Sequence, residues 1–197
     1  GTVTAFAGPS GAGKSTLVAC LLSDITPDAG QIRLRDQASS RDDEGLALTD
    51  VDPTSWRSAI SWVPQSPTLV PGTILDNMGD LPQRDLDEAA RATGFDAVLA
   101  TTPDGWNSTI GSGGVGLSVG QRQRLALTRA LAARSQVVVL DEPTAHLDAV
   151  SEETVVRAIH AMREEGRTVI VIAHRNAIIE VADTIIDVAH ADEEALA

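Results

Sequence analysis

The sequence predicts an α/β domain with a mostly parallel sheet at its centre. Segments with the composition of β-strands alternate along the chain with segments of helical periodicity. Such alternation is typical of parallel strands that are joined by helical crossovers. The aliphatic run at 136–140 is unbroken and leads into two acidic residues. This pattern indicates a buried central strand with functional groups at its carboxyl end.

The first part of the chain contains three predicted strands and one helix. These elements are strand 2–7, helix 15–22, strand 31–35 and strand 60–63. A turn is predicted at 26–30, and the polar, acidic stretch 36–52 is predicted to be a solvated surface loop. Because the chain begins almost directly in a strand, we expect an excised domain whose N-terminal β-strands are truncated.

Between residues 65 and 117 the alternation of predicted strands and helices is interrupted. Apolar residues recur there at helical spacing around 74–78, 86–92 and 95–99, which predicts a small helical subdomain. After this segment the pattern of strands and helices returns. The predicted division is therefore 1–64 for the first half of the core, 65–117 for the helical subdomain and 118–197 for the second half of the core.

The second half of the core is predicted to begin with a helix at 118–132. Ser118 and Gln121 have the spacing of a capping box, in which each side chain satisfies a backbone N–H at the start of a helix. The elements predicted beyond the central strand are helix 149–163, buried strand 168–172 and buried strand 184–188.

Composition narrows the class of protein. The net charge of −13 argues against a broad nucleic-acid interface, which requires a positive surface. Cys20 is the one cysteine, so an internal disulfide is excluded and a reducing compartment is expected. No apolar run approaches the ~20 residues that span a bilayer, so we expect that this chain does not itself cross the membrane.

A glycine-rich run follows the first predicted strand and fits the phosphate-binding pattern G-x-x-x-x-G-K-[ST] (the P-loop). The run is Gly8-Pro9-Ser10-Gly11-Ala12-Gly13-Lys14-Ser15-Thr16. Glycines allow successive backbone N–H groups to point at phosphate oxygens, and the helix that follows adds its positive end. Lys14, the single lysine of the chain, is expected to bind the β- and γ-phosphates, Ser15 a magnesium ion and Thr16 the α-phosphate. The alternative is a structural glycine turn.

The acidic pair Asp141 and Glu142 ends the central aliphatic run. In a P-loop NTPase (RecA-like) fold, an aspartate at this position holds Mg²⁺, either directly or through water. The adjacent glutamate can accept a proton from the water that attacks the γ-phosphate. The alternative reading of the pair is helix capping. Together with the P-loop, the pair predicts an ATP-hydrolysing core with ATP and Mg²⁺ as ligands.

The segment 117–124 resembles the signature sequence of ATP-binding cassette (ABC) proteins. Its residues read Leu-Ser-Val-Gly-Gln-Arg-Gln-Arg, with Val119 where the family usually has glycine. Ser118 and the helix behind it form a second anion site, which is expected to include Gly120 and Gln121. The resemblance implies that two such domains pair head-to-tail, and that each signature covers the ATP of the other domain.

The resemblance extends over nearly the whole chain and assigns three further residues. Gln65 matches the family's glutamine loop, where it senses Mg²⁺ or water, so it is expected in both metal binding and catalysis. Asp148 matches the aspartate that crosses the dimer interface, and His174 matches the histidine that contacts the γ-phosphate. The family's adenine-stacking aromatic residue precedes the P-loop, outside this chain, so ATP is expected to be held mainly by its phosphates.

Two segments resemble exporter-type ABC domains. They are the stretches 71–77 and 103–111, although the glutamate that exporters carry near Ser112 is absent. The most similar subgroup is the bacterial thiol-reductant (cysteine or glutathione) exporter of cytochrome bd assembly. The resemblance implies a second nucleotide-binding domain, identical or different. It also implies a permease domain, fused upstream or on another chain, that holds the domain at the cytoplasmic face of the membrane.

Two other functions remain open from the sequence. A soluble ABC ATPase of DNA repair or translation is disfavoured by the exporter-like segments, the acidic charge and the lack of a coiled-coil insertion. A regulatory, inactive half of a heterodimer is disfavoured by four intact residues, although Val119 leaves room for it. These four are Lys14, Asp141, Glu142 and His174. His146, His160 and His190 are predicted to be surface or packing residues, and Cys20 to lie in the core.

Overall fold

A five-stranded parallel sheet forms the centre of the structure. The structure, a computed structural model, describes residues 1–35, 44–144, 149–173 and 175–188. The strands of the sheet are β1 (Val3–Ala7), β4 (Ile60–Val63), β7 (Val137–Asp141), β8 (Thr168–Ile172) and β9 (Thr184–Asp187). Their order is β4-β7-β8-β1-β9, and every neighbouring pair is parallel. The predicted fold class is therefore confirmed.

Two short antiparallel pairs accompany the main sheet. One joins β2 (Arg33–Leu34) to β3 (Leu46–Ala47), and the other joins β5 (Gly72–Thr73) to β6 (Thr109–Ile110). The helices are α1 (Lys14–Leu21), α2 (Pro53–Ala59), α3 (Gln83–Ala92), α4 (Asp96–Leu99), α5 (Val119–Ala132), α6 (Ala149–Glu164) and α7 (Asn176–Ile179). In the described part of the chain, no helix has the length and apolar character needed to span a bilayer.

Alternation along the strands gives the sheet two buried faces. On β7, Val138 and Leu140 belong to the cluster formed with α3, α5 and α6, whereas Val139 belongs to the cluster formed with α1 and α2. On β8, Val171 and Ile172 divide between the two faces in the same way. Helices thus cover both faces of the central strands, as the unbroken aliphatic runs predict.

The helical segment 65–117 shares its core with the sheet. Leu86 of α3 and Phe95 are fully buried in the same cluster as Val3 of β1. A buried hydrogen bond of 2.6 Å joins the hydroxyl groups of Thr93 and Thr128, which connects the end of α3 to α5. The helical spacing at 74–78 corresponds to a 3-10 turn, Leu75–Met78. The division at 64 and 117 stays a prediction.

Two expectations about exposure are wrong. Residues 44–52 are not simply a solvated loop, because Leu46 and Ala47 pair with β2, and Leu48 is buried under the sheet. β9 is not a buried strand, since its residues are exposed along its whole length. It lies at the edge of the sheet beside β1. Aliphatic composition identifies a strand correctly here but does not distinguish an edge position from a central one.

Candidate functional site

The glycine run wraps between β1 and α1 in backbone conformations that suit glycine. Gly8 has φ 144°, and a Cβ placed on it would lie 2.3 Å from the carbonyl oxygen of Val188, just after β9. Gly13 has φ 93° and precedes the first residue of α1. The first glycine therefore permits close contact between the loop and the sheet edge, and the last one permits the turn into the helix.

Lys14 lies inside the loop rather than in solvent. Lys14 is only 6% exposed. Its Nζ donates to the carbonyl oxygens of Gly8 at 2.9 Å and Pro9 at 2.7 Å. These contacts fix the ammonium group at the mouth of the loop. A compact cation with a flexible stem can reach this position, whereas a planar guanidinium would need more room.

The start of α1 is suited to binding an anion. Neither a side-chain cap nor an acidic residue is found in its first turn. The N–H groups of a helix start and its dipole favour negative charge. Beside this helix start is a cavity of about 200 Å³, lined by Ser10, Gly11, Gly13, Lys14, Ser15, Thr16 and Glu142. The P-loop residues and Glu142, the second residue of the acidic pair, thus meet at one cavity, as expected from the parallel topology.

Asp141 is the last residue of β7, and its register partner is Ile172 on β8. Burial, together with the neighbouring Glu142 carboxylate, raises the pKa of Asp141 above its usual range, while the Lys14 ammonium acts in the opposite direction. The ligand-free protein therefore favours the charged form of Asp141 less than water does, because Lys14 offsets burial and the Glu142 carboxylate only in part. A bound cation would complete the compensation.

Glu142 has a strained backbone and a defined partner. Its φ is 45°, in the left-handed region that non-glycine residues rarely adopt. Its N–H donates to the carbonyl oxygen of Ile172 at 3.1 Å, which anchors the residue to the end of β8. Nε2 of Gln65 donates to Oε2 of Glu142 at 2.8 Å. Two of the three predicted catalytic residues, Gln65 and Glu142, are therefore in direct contact across the ends of β4 and β7.

The signature residues lie at a different place. The side chain of Ser118 accepts from the N–H of Gln121 at 3.2 Å, and Oε1 of Gln121 accepts from the N–H of Ser118 at 2.8 Å. The predicted capping box is confirmed. Ser118, Gly120 and Gln121 are not among the residues that line the P-loop cavity. The described chain thus presents two separate helix starts, those of α1 and α5.

Several predicted residues lie outside the described part of the chain. They are Asp148, His174, His146 and His190. His160 is exposed on α6, and Cys20 is buried on α1, as expected. Trp56 is a core residue, and Trp106 packs on Phe95 with ring centroids 5.9 Å apart. Trp62 lies on the edge strand β4 and is 44% exposed, so it is not a core residue.

Three side chains make hydrogen bonds to backbone carbonyls that the sequence does not predict. The indole N–H of Trp56 donates to the carbonyl oxygen of Leu21, at the end of α1, at 2.7 Å. The buried amide of Asn77 donates to the carbonyl oxygens of Val70 and Thr73, both at 3.0 Å, and so organises the exporter-like loop. Arg167 binds the end of α5. Long-range partners such as these leave no local sequence signal.

The residues present fit both ATP and magnesium. The glycine backbone and Lys14 supply donors for phosphate, and Ser15, Gln65 and Asp141 supply the oxygen atoms that Mg²⁺ prefers. Within the described ranges, no cluster of three His, Cys, Asp or Glu side chains could hold a metal. Magnesium is therefore expected to take part of its coordination from phosphate oxygens and water.

Comparison with known proteins identifies the family. The family model described as "ABC transporter" matches residues 1–145. An ATP-dependent lipid A-core flippase of Burkholderia pseudomallei is 40% identical over 189 residues, which cover 94% of this chain and 30% of the flippase. A multidrug resistance ABC transporter ATP-binding and permease protein of Lactococcus lactis is 37% identical, with 93% of this chain and 30% of the relative covered.

A solved structure agrees with these relatives. The bacterial Atm1-family ABC exporter with ATP bound superposes with a TM-score of 0.84 at 32% identity, covering 94% of this chain and 32% of that chain. The present chain thus spans about a third or less of the proteins to which it is similar. The two helix starts, the acidic strand end and the family match agree, and the chain belongs to the ABC transporter family, whose ATP-binding domains hydrolyse ATP in transport.

Proposed function

We propose that the chain is the ATP-hydrolysing domain of a membrane exporter, and that it works by head-to-tail pairing with a second such domain. The observation that supports this proposal is that the two helix starts expected to bind anions do not line the same cavity. The start of α1 opens on the P-loop cavity, whereas Ser118 at the start of α5 does not line it. A single nucleotide can contact the start of an α1 helix and the start of an α5 helix if the α5 helix belongs to another domain.

The residues of the P-loop side bind and orient the nucleotide. Lys14 and the N–H groups of the loop would hold the phosphates. Ser15, Gln65 and Asp141 would hold magnesium. When bound, magnesium supplies positive charge for the phosphate oxygens. Ser118, Gly120 and Gln121 of the second domain would cover the same phosphates, and Asp148 would cross the interface between the domains.

Glu142 is the proposed general base. Its carboxylate lines the P-loop cavity, where it can accept a proton from the attacking water. The contact with Gln65 orients Glu142 and connects it to the loop after β4. His174 is the proposed contact to the γ-phosphate. Catalysis by these residues consists mainly of positioning and charge stabilisation.

The transport step requires a permease domain. The relatives with similar sequences include a flippase and a protein named as both ATP-binding and permease. We infer that pairing driven by ATP moves the helices of a permease domain, on this chain's own protein or on another, and that hydrolysis reverses the movement. The domain would then work at the cytoplasmic face of the membrane. We expect no nucleic-acid partner, because the net charge is −13.

The test of pairing uses the natural full-length protein in lipid nanodiscs with Glu142→Gln. A spin label replaces the exposed His160, and a second label is placed on the paired domain. ATP with Mg²⁺ is expected to shorten the distance between the labels, and ADP is not. The same protein with Lys14→Ala in addition serves as the control that cannot respond. An unchanged distance despite bound ATP would show that the pairing proposal is wrong.

The cargo is a separate proposal, for which thiol reductants are the first candidates. Inside-out vesicles containing the full-length protein would be supplied with ATP and radiolabelled cysteine or glutathione. ATP-dependent accumulation that is lost in Glu142→Gln supports a thiol exporter. Accumulation of neither thiol, in vesicles that hydrolyse ATP at the normal rate, would contradict this cargo.

Val119 favours a second candidate, a regulatory half of a heterodimer. Its side chain is exposed at the first position of α5, beside Ser118, where the family usually has glycine. Restoring glycine at this position distinguishes the two functions. A catalytic domain is expected to hydrolyse ATP with valine present, whereas a regulatory domain would gain turnover only on Val119→Gly.

A further inference from the structure

Arg167 is a buried cation at the far end of the signature helix. It is 4% exposed and immediately precedes β8. Nη1 donates to the carbonyl oxygen of Ala130 at 3.1 Å, and Nη2 donates to that of Leu131 at 2.8 Å. One guanidinium group therefore binds two consecutive carbonyls in the last turn of α5.

These carbonyls need a partner from outside the helix. The last four carbonyl groups of a helix have no intrahelical N–H group to accept from, and they carry the negative end of the helix dipole. A guanidinium group provides both positive charge and two donors of fixed geometry. Burial lowers the pKa of Arg167, and the nearby Glu165 carboxylate opposes this effect. Glu165 forms an ion pair with Arg167, so the buried charge is compensated.

The same end of α5 is also bound from the helical segment. Arg134 follows α5 with a φ of 52°, and its Nη2 lies 3.1 Å from Oδ1 of Asp85 and 3.3 Å from Oε2 of Glu88, both on α3. Arg167 thus attaches the end of α5 to the sheet, and Arg134 attaches it to α3. The two arginines therefore hold this end of α5 through contacts with two different elements.

We propose that Arg167 is a positioning residue for the signature: by holding the carboxyl end of α5 against the start of β8, it sets the direction in which Ser118 meets the second domain. This inference rests on the proposed function. The helix has 14 residues, so its ends are about 21 Å apart at 1.5 Å per residue. A tilt of only a few degrees at the Arg167 end would shift the Ser118 end by roughly 1–2 Å over that length, enough to disturb catalytic contacts.

The experiment compares Arg167→Lys and Arg167→Met in the natural full-length protein. Lysine keeps the charge but not the two-donor fork, and methionine removes both. Arg163→Met is the matched control, because Arg163 is half-exposed and pairs with Asp183 rather than with α5. ATP turnover is measured at a temperature where each variant is folded. Binding of ADP is measured in parallel, because it reports on the P-loop side.

We expect turnover to fall at least tenfold in Arg167→Met and about threefold in Arg167→Lys, with the ADP affinity of both within twofold of the parent. Arg163→Met should keep both quantities. A double-mutant cycle with Ser118→Ala measures the coupling between the two residues, which a general loss of stability would not produce. If Arg167 acts through the signature, its substitution should have a clearly smaller effect on turnover when Ser118 is already alanine.

Three results would overturn the inference. They are normal turnover in the folded Arg167 variants, a parallel loss of ADP affinity, and effects that simply multiply in the cycle. If Arg167→Met does not fold, the result for Arg167→Lys decides. Failure of the proposed function is recognised separately, because the parent protein would then show no ATP-driven pairing at all.

Discussion

The side-chain amide of Gln65 donates to the carboxylate of Glu142 across a distance of 2.8 Å. The contact joins the segment after β4 to the residue after β7, two strands that are neighbours in the sheet. It therefore connects the proposed general base to the glutamine loop that follows β4. A movement of this loop would reach Glu142 through a single hydrogen bond.

Replacing Gln65 should impair catalysis more than binding. Gln65→Ala removes the donor, so Glu142 loses a defined orientation. Turnover is expected to fall about tenfold, which is less than the loss of the general base itself would cause. ATP affinity should change less than threefold, because Lys14 and the loop residues that line the P-loop cavity would still bind the phosphates. Steady-state turnover and equilibrium ATP binding measure the two effects. Equal losses in both would contradict the assigned role.

Replacing Glu142 should separate binding from hydrolysis completely. Glu142→Gln keeps an oxygen that can accept from Gln65 but removes the basic carboxylate. ATP binding is expected to persist, and turnover should fall by at least a hundredfold. A phosphate-release assay with a filter-binding control checks this expectation. Turnover near that of the parent would remove Glu142 from its proposed role.

Lys14 should be required for nucleotide binding. Lys14→Ala is expected to lose measurable ATP binding, because the loop would lose the cation that its carbonyls of Gly8 and Pro9 now hold. Lys14→Arg should also bind poorly, since the position is buried and a planar guanidinium needs more space. Calorimetric titration with ATP checks both variants. Retained affinity in Lys14→Ala would contradict the phosphate-binding role of the loop.

Asp141→Asn should stabilise the ligand-free protein while weakening its response to magnesium. Because the pKa of Asp141 is raised in the folded state, the folded state binds this proton more tightly than the unfolded state does. Stability should therefore fall as pH rises from the unfolded value of 3.8 through the raised folded value. The asparagine variant should lack this decline. Thermal unfolding across that pH range, with and without Mg²⁺ and ATP, provides the measurement.

Two glycines of the loop should tolerate alanine differently. Gly8→Ala places a Cβ 2.3 Å from the carbonyl oxygen of Val188, so the loop must move away from β9. Gly13→Ala meets no atom within 4 Å and carries only the backbone strain of a positive φ, which costs roughly 1–2 kcal/mol. The free energy of unfolding should therefore decrease more in Gly8→Ala. Urea denaturation of both variants checks the order.

The parts of the fold that the sequence predicts best are those with local signals. The aliphatic runs of β7 and β8 and the capping box of α5 appear where they are expected. Each is specified by residues close together in the chain. The glycine run likewise predicts the turn between β1 and α1, because its conformation depends on residue type at each position.

The missed parts depend on partners that are distant in sequence. β3 has only two residues, and it becomes a strand because Leu46 pairs with Leu34. α2 is short, and its Trp56 is held by the carbonyl oxygen of Leu21. The exposed strand β9 has the same aliphatic composition as a central strand, so its edge position follows from topology alone. The contact of Gln65 with Glu142 also requires the strand order, which composition does not specify.

The position of Lys14 has a practical consequence. Apart from the N-terminus, its ε-amine is the one amine-bearing side chain in these 197 residues, and it is enclosed by its own loop. Acetylation monitored by mass spectrometry would therefore report on a single point in this chain. The rate of Lys14 acetylation would report how often the loop opens. Slower acetylation with nucleotide present would report binding, without any engineered label.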